Sequence, residues 1–144
     1  MRYMLMVKAT KHSEAGVKPG WKHHDAMAAY NEALASAGVL LVAEELRPSS
    51  SGLRITYPVS GETPEIMGGP FAETGSLVAG YTLIDVKTEE EAIAWAMRMP
   101  HPSGCRECEI ELRLLFDNES LLRASESTLL EADLRDQIDM LKKS

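Results

Sequence analysis

At 144 residues, with 44% hydrophobic and 26% charged side chains, the chain has the make-up of one compact domain able to bury a core without disulfide or metal support. Its formal charge of −7 argues against the clustered Lys and Arg that nucleic-acid phosphates and anionic membrane surfaces require, so neither is expected as a partner. No apolar run reaches the length of a membrane-spanning helix.

Met1 to Ala9 is apolar but too short for a secretory leader, and no small-residue cleavage site follows it. It is therefore expected to be a strand, Arg2–Ala9, buried on both faces, and the protein is expected to be cytoplasmic. Lys11–Gly20 reads as a polar loop. Met27, Tyr30, Leu34 and Ala37 recur at helical spacing and predict a helix over Lys22–Ala37, stopped by Gly38. Val39–Leu46 predicts a second strand. Leu53, Ile55 and Tyr57 alternate with Arg54 and Thr56, predicting a third and half-buried one, and Pro64–Met67 adds a short return strand.

Gly68-Gly69-Pro70-Phe71-Ala72-Glu73-Thr74 then forces a turn that carries an aromatic ring, a carboxylate and a hydroxyl into the longest strand candidate, Leu77–Val86. Thr88-Glu89-Glu90-Glu91 has the form of a capping box. The helix behind it takes its apolar stripe from Ile93, Ala96 and Met97 and ends before Pro100. The last strand is Cys108–Phe116, with Cys108, Ile110, Leu112, Leu114 and Phe116 on one face. Beyond Asp117 the chain becomes charged. Leu130, Leu134, Ile138 and Leu141 fall on one helical face, so residues 118–144 are expected to form a C-terminal helical extension of a 1–117 domain.

The order strand, helix, strand, strand, strand, helix, strand reduces to βαββαβ once the short extra strand is set aside. That is the ferredoxin-like α+β arrangement. Two helices cover one face of such a sheet. On Leu77–Val86, however, both alternating sets are mainly apolar, so the other face needs cover. A second copy, sheet against sheet, is the simplest cover, and a homodimer is expected.

At this point the residues resemble the YCII-related family, specifically its DGPF-domain branch. The matching pieces include Met1 to Ala9, Ser13-Glu14-Ala15-Gly16-Val17, and Gly38-Val39 leading to Glu44 and Leu46. Pro48-Ser49, Gly69-Pro70-Phe71-Ala72-Glu73-Thr74 and Glu109-Ile110-Glu111-Leu112-Arg113 continue the likeness, which covers about residues 1–117. The resemblance implies a ferredoxin-like sheet that dimerises as an α+β barrel and a mostly uncharacterised function, with related barrels acting as cofactor-free small-molecule enzymes. Two departures stand out. Gly68 occupies the place of the motif's leading Asp. The His and Asp pair of the wider group has His23 or His24 for its first member, but Met99 or Pro100 where the Asp belongs. A His-Asp mechanism is not carried over.

Glu73 is the leading candidate for chemistry. Partial burial in a cleft would raise its pKa toward general acid or base work, whereas bonds to backbone N–H groups would make it a turn brace. Thr74 reads as a loop hydrogen bonder, and Phe71 as a buried anchor that pins the motif loop formed with Gly69 and Pro70. Glu44 sits on an apolar strand and needs a partner, for which Lys8 is the expectation. His23, His24 and Asp25 open a helix, where Asp25 suits the positive end of the dipole. Trp95 and Tyr81 read as packing groups. His101, Cys105 and Cys108 form a His-x3-Cys-x2-Cys run with only three local metal donors, so a fourth would have to come from His12, His23 or His24. Two reduced thiols are expected instead, with no metal and no cofactor.

Three functions follow. The first is a small-molecule-binding or regulatory module with a cleft bounded by the motif loop. The second is a cofactor-free isomerase- or hydrolase-type enzyme using Glu73 with Glu44, Lys8 or His101. The third is an interaction protein that docks through its C-terminal helix.

Overall fold

The computed structural model describes residues 1–102, 105–117, 134–138, 140 and 141. Met1–Leu114 form one compact unit and Leu115–Ser144 a second. The first unit is a mixed α+β fold, consistent with the ferredoxin-like arrangement. Four strands, β1 (Arg2–Lys8), β2 (Leu40–Glu45), β5 (Val78–Asp85) and β6 (Ile110–Leu114), make a sheet in the order β2-β5-β1-β6. Every neighbouring pair is antiparallel. Two longer helices, α2 (Trp21–Ser36) and α3 (Glu89–Arg98), pack on one face of it.

The register explains which side chains become the core. Tyr3, Leu5 and Val7 of β1 lie opposite Ile84, Thr82 and Gly80 of β5 and opposite Leu114, Leu112 and Ile110 of β6. These side chains share the helix-facing side. Tyr3, Leu5, Ile84 and Val86 are buried there against Tyr30 and Leu34 of α2, Ala92 of α3, and Val39 and Met99. The stripe of α3 is Ala92, Trp95 and Ala96, continued by Met99, while Ile93 and Met97 point outward. Positions 92, 95, 96 and 99 keep the i, i+3, i+4, i+7 spacing that one buried helix face requires, which keeps Ala96 of the expected stripe and corrects Ile93 and Met97.

The helix ends are built by local chemistry. Gly38 takes φ +72°, the left-handed conformation that favours glycine. It lets the Val39 N–H donate to Leu34 O at 3.1 Å and its own N–H donate to Ala35 O at 3.0 Å. This double closure is the Schellman motif, and it returns the chain directly into β2. At α3, Thr88 Oγ1 accepts from the Glu91 N–H at 3.2 Å. The Glu91 carboxylate accepts from the N–H of Lys87. Thr88 thus makes the forward half of the expected box, while the Glu91 side chain bonds the residue before the cap instead of the cap itself.

Three expectations change. The Lys11–Gly20 loop contains a short helix, α1 (Lys11–Glu14), because Thr10 and Ser13 cap each other. Thr10 Oγ1 accepts from the Ser13 N–H at 3.1 Å, and Ser13 Oγ accepts from the Thr10 N–H at 2.8 Å. The third strand, β3 (Leu53–Thr56), is not half-buried in the main sheet. It pairs only with the return strand, β4 (Glu65–Gly68), as a separate two-stranded hairpin, so Leu53, Ile55 and Ile66 remain exposed. Helix α2 begins at Trp21, one residue early, which places Asp25 beyond its first turn.

The sheet face away from the helices is apolar in the middle and charged at both margins. One row across it reads Glu44, Tyr81, Met6, Glu111, and the next reads Val42, Leu83, Met4, Arg113. Within the second unit, residues 134–138, 140 and 141 are helical. That span includes Leu134, Ile138 and Leu141 of the expected stripe, and Leu130 lies outside the described residues. Among the described residues no helix is long and apolar enough to cross a membrane.

Candidate functional site

One end of the sheet carries an open cleft of about 360 Å³. Its walls come from the exit of β2 (Leu46, Arg47, Pro48), the entry of β5 (Leu77, Val78), Glu14 of α1, and the Ser49–Gly52 turn with Phe71 above it. The sheet itself fixes these edges. The Leu46 N–H donates to Ala79 O at 2.7 Å, and the Ala9 N–H donates to Leu77 O at 2.9 Å, so both strands are held in register to the rim.

Ser49 is the hub of the site. Its Oγ donates to the Glu14 carboxylate at 2.6 Å, and its backbone N–H is shared between both Glu14 oxygens at 3.1 and 3.2 Å. The same Oγ accepts from the Phe71 N–H at 2.9 Å. One hydroxyl thus ties α1, the turn after β2 and the motif loop together. Glu14 keeps acceptor capacity beyond these bonds, since an ionised carboxylate offers about four lone-pair sites.

The motif loop closes over that turn. The Gly69–Pro70 peptide is cis. The Gly69 N–H donates to Gly52 O at 3.0 Å. A Cβ added at Gly69 would stand 1.9 Å from the Ser49 carbonyl oxygen, so only glycine allows the two backbones to come this close. Phe71 anchors the loop as expected, but it is half-buried rather than buried. The guanidinium of Arg54, reaching from β3, lies 3.9 Å from its ring centre.

The sequence candidates are dispersed. Glu73 does not line the cleft. Its exposed carboxylate accepts from the Arg54 guanidinium at 3.1 Å, so one arginine holds both the ring and the acid of the motif. Thr74 opens a short turn, Thr74–Ser76, and its N–H donates to Ala72 O. Lys8 pairs with Glu111 at 3.6 Å rather than with Glu44. The reason is topological: Lys8 and Glu111 are on neighbouring strands, whereas β5 separates β1 from β2. Glu111 also bonds Arg113. Glu44 lies exposed on β2, opposite Tyr81. His101 is exposed, with Nδ1 3.3 Å from Pro102 O.

His23 is in the first turn of α2, its Nδ1 buried without a hydrogen-bond partner, and His24 beside it is exposed. Tyr30 and Trp95 pack edge to face at 6.2 Å, and Tyr81 is half-buried on the far side of the sheet. Cys105 and Cys108 are joined in a disulfide, which replaces the expected pair of reduced thiols. Their Cα atoms are 5.7 Å apart, within the reach of that bond. Among the described residues no three His, Cys, Asp or Glu side chains converge to hold a metal ion.

Sequence reasoning missed Glu14, Ser49 and Arg54 as site residues. Two of them had a signal: Ser13-Glu14 and Pro48-Ser49 both belong to the pieces that carry the family resemblance. Arg54 had none, because its role depends on a hairpin that brings β3 beside the motif loop.

The family model of the YCII-related domain matches residues 1–111, a span containing every residue of the cleft. No curated protein matches the chain.

Proposed function

The chain belongs to the YCII-related domain family, whose function is uncharacterised, and on that premise we propose that it is a small-molecule-binding module acting as a homodimer. The observation that carries this reading is the make-up of the cleft. Leu46, Pro48, Phe71, Leu77 and Val78 give it apolar walls, and Glu14 gives it one fixed acceptor. Binding pockets combine those two ingredients: an apolar enclosure and a few placed polar groups. The ligand class that fits is a small, mainly apolar molecule with a single hydrogen-bond donor, such as an amine or hydroxyl, directed at Glu14. An enzyme built on Glu73 is less well supported, because that carboxylate lies outside the cleft and pairs with Arg54.

The homodimer reading is supported by the half-buried Met4, Met6, Tyr81 and Leu83 on the sheet face away from the helices. A second copy would cover that stripe and close the two sheets into an α+β barrel. The second unit would stand as a helical extension to it.

Thermal unfolding in the presence of small amphipathic amines and alcohols tests the binding reading. A ligand present at a hundred times its Kd stabilises the folded state by about 2.7 kcal/mol. Leu46→Trp, placed at the exposed end of β2, fills the cleft and is expected to abolish the shift. Compounds that stabilise wild type and Leu46→Trp equally would place binding elsewhere, and a panel that shifts neither would remove the proposal.

A further inference from the structure

The Cys105–Cys108 disulfide belongs to neither the core nor the cleft. It closes a ring over only Arg106 and Glu107, in the connection between α3 and β6. A cross-link over so short a loop removes little freedom from the unfolded chain, so stability alone does not account for it. The two sulfurs also differ in access, since Cys108 is exposed and Cys105 half-buried. A disulfide open to an incoming thiolate is of the labile, exchanging kind rather than the shielded, structural kind.

The backbone on either side keeps the two cysteines together whether or not the bond exists. The Cys105 N–H donates to Pro102 O at 3.2 Å. Just past Cys108, Glu109 O accepts from the Lys8 N–H at 3.0 Å, and Ile110 pairs with Val7 in the sheet. The Cα separation of 5.7 Å is thus backed by a turn on one side and the start of β6 on the other. Opening the bond leaves two thiols within reach of each other on an unchanged sheet. The neighbours Arg106, Glu107 and Glu109 are exposed and charged, unlike the apolar centre around which a protein interface is built. A small partner suits that surface better than a protein.

We propose that Cys105 and Cys108 form a thiol–disulfide exchange site for a small, water-soluble thiol, with Cys108 as the sulfur attacked. The thiolate of the small thiol attacks Cys108 Sγ and forms a mixed disulfide. The Cys105–Cys108 bond breaks, and its electron pair leaves on Cys105 as a thiolate, which takes a proton from water. A second small thiolate attacks the outer sulfur of the mixed disulfide and releases Cys108, which is protonated in the same way. Two small thiols and the protein disulfide become one small disulfide and a protein dithiol. The small thiols lose two electrons and two protons, and the chain gains both. In the reverse direction the dithiol reduces a small disulfide, and Cys105 closes the ring by attacking the mixed disulfide at Cys108.

Equilibration of the full chain with mixtures of reduced and oxidised glutathione tests the site. Samples are quenched in acid, alkylated with N-ethylmaleimide and read by intact mass. The chain is expected to pass from mainly disulfide to mainly dithiol over about a hundredfold change in the squared thiol-to-disulfide quotient, as a two-electron exchange requires. The dithiol chain is expected to keep its cooperative urea transition and to reclose in oxidised glutathione. Cys105→Ser leaves Cys108 free and is expected to take up one glutathione about tenfold faster than Cys108→Ser, because access to the sulfur limits attack.

A chain that stays oxidised in the most reducing mixture overturns the proposal. So does one that fails to reclose, or one that loses its cooperative transition on reduction, which makes the bond a structural brace. Reduction by thioredoxin but not by glutathione overturns the small partner. Equal uptake by the two single variants overturns Cys108 as the sulfur attacked.

Discussion

Gly69 is the residue on which the site's geometry turns. The loop that carries Phe71 and Glu73 can lie on the Ser49–Gly52 turn only because nothing projects from residue 69 toward the Ser49 carbonyl, which a Cβ would approach to 1.9 Å. The atom in the way is backbone, so a side chain cannot simply rotate to make room. Gly69→Ala is therefore expected to push the loop off the turn and break the Gly69 N–H bond to Gly52 O. It also strains the Ser49 hydroxyl bridge between Glu14 and Phe71. A cost of about 2 kcal/mol follows from that class of change, lowering the melting midpoint by roughly 5–10 °C. A melting curve within about 1 °C of wild type would show that the contact is not held in solution. Gly68, the departure from the motif that the sequence resembles, has no such constraint. A Cβ there meets only the end of the Leu53 side chain at 3.9 Å, so the departure from the motif leaves this backbone undisturbed.

At the scale of the elements, a polar bond ties α2 and α3 together inside a mainly apolar layer. Tyr30 Oη donates to Trp95 O at 2.6 Å, and the two rings meet edge to face. Burial pushes the Tyr30 phenol up from its ordinary 10.0 to about 12, with the nearby Arg98 pulling weakly the other way. The native state thus favours the protonated phenol. The stability this contributes is intact below pH 10, where the unfolded chain would also be neutral. It is lost as pH rises from about 10 through about 12. Tyr30→Phe is expected to cost about 1 kcal/mol at neutral pH for the missing hydrogen bond. It should also flatten the alkaline fall in the urea midpoint. The flattening is partial, because burial and the nearby Glu89 and Glu90 shift Tyr3 in the same direction. An alkaline limb as steep in the variant as in wild type would show that Tyr30 does not carry it.

These same elements show where sequence reading works. The 3.6-residue spacing of Met27, Tyr30 and Leu34 and the glycine at 38 mark α2 because both are local. The four sheet strands are marked by apolar runs buried against helices. The hairpin of β3 and β4 has the alternation of a half-buried strand, yet no layer covers it, and alternation alone says nothing about what lies opposite. The cleft was hidden for a related reason. Glu14 and Ser49 are 35 residues apart and Arg54 and Glu73 are 19, and these contacts depend on a short helix capped by Thr10 and on a hairpin folding back over residue 71.

For the whole molecule, the distribution of the core sets what is required to fold. Every buried apolar residue of the cluster lies between Tyr3 and Met99, and the partly buried residues packed on it end at Leu112. The cleft likewise ends at Val78. Among the described residues the cluster has no member beyond β6, and the first compact unit closes at Leu114. A chain ending at Asp117 is therefore expected to unfold in one cooperative urea transition, with a free energy within about 1 kcal/mol of the full chain. Its denaturant slope should fall in proportion to the surface removed. The Cys105–Cys108 disulfide stays inside this shortened chain, bridging a ring of only two intervening residues. Cross-links over so short a loop restrict the unfolded chain least, so reduction is expected to lower the stability of both lengths by the same small amount, about 2 kcal/mol at most. A shortened chain that loses its cooperative transition would place part of the folding energy in residues 118–144. A shortened chain that stays cooperative but becomes monomeric, against a dimeric full chain, would assign those residues to assembly.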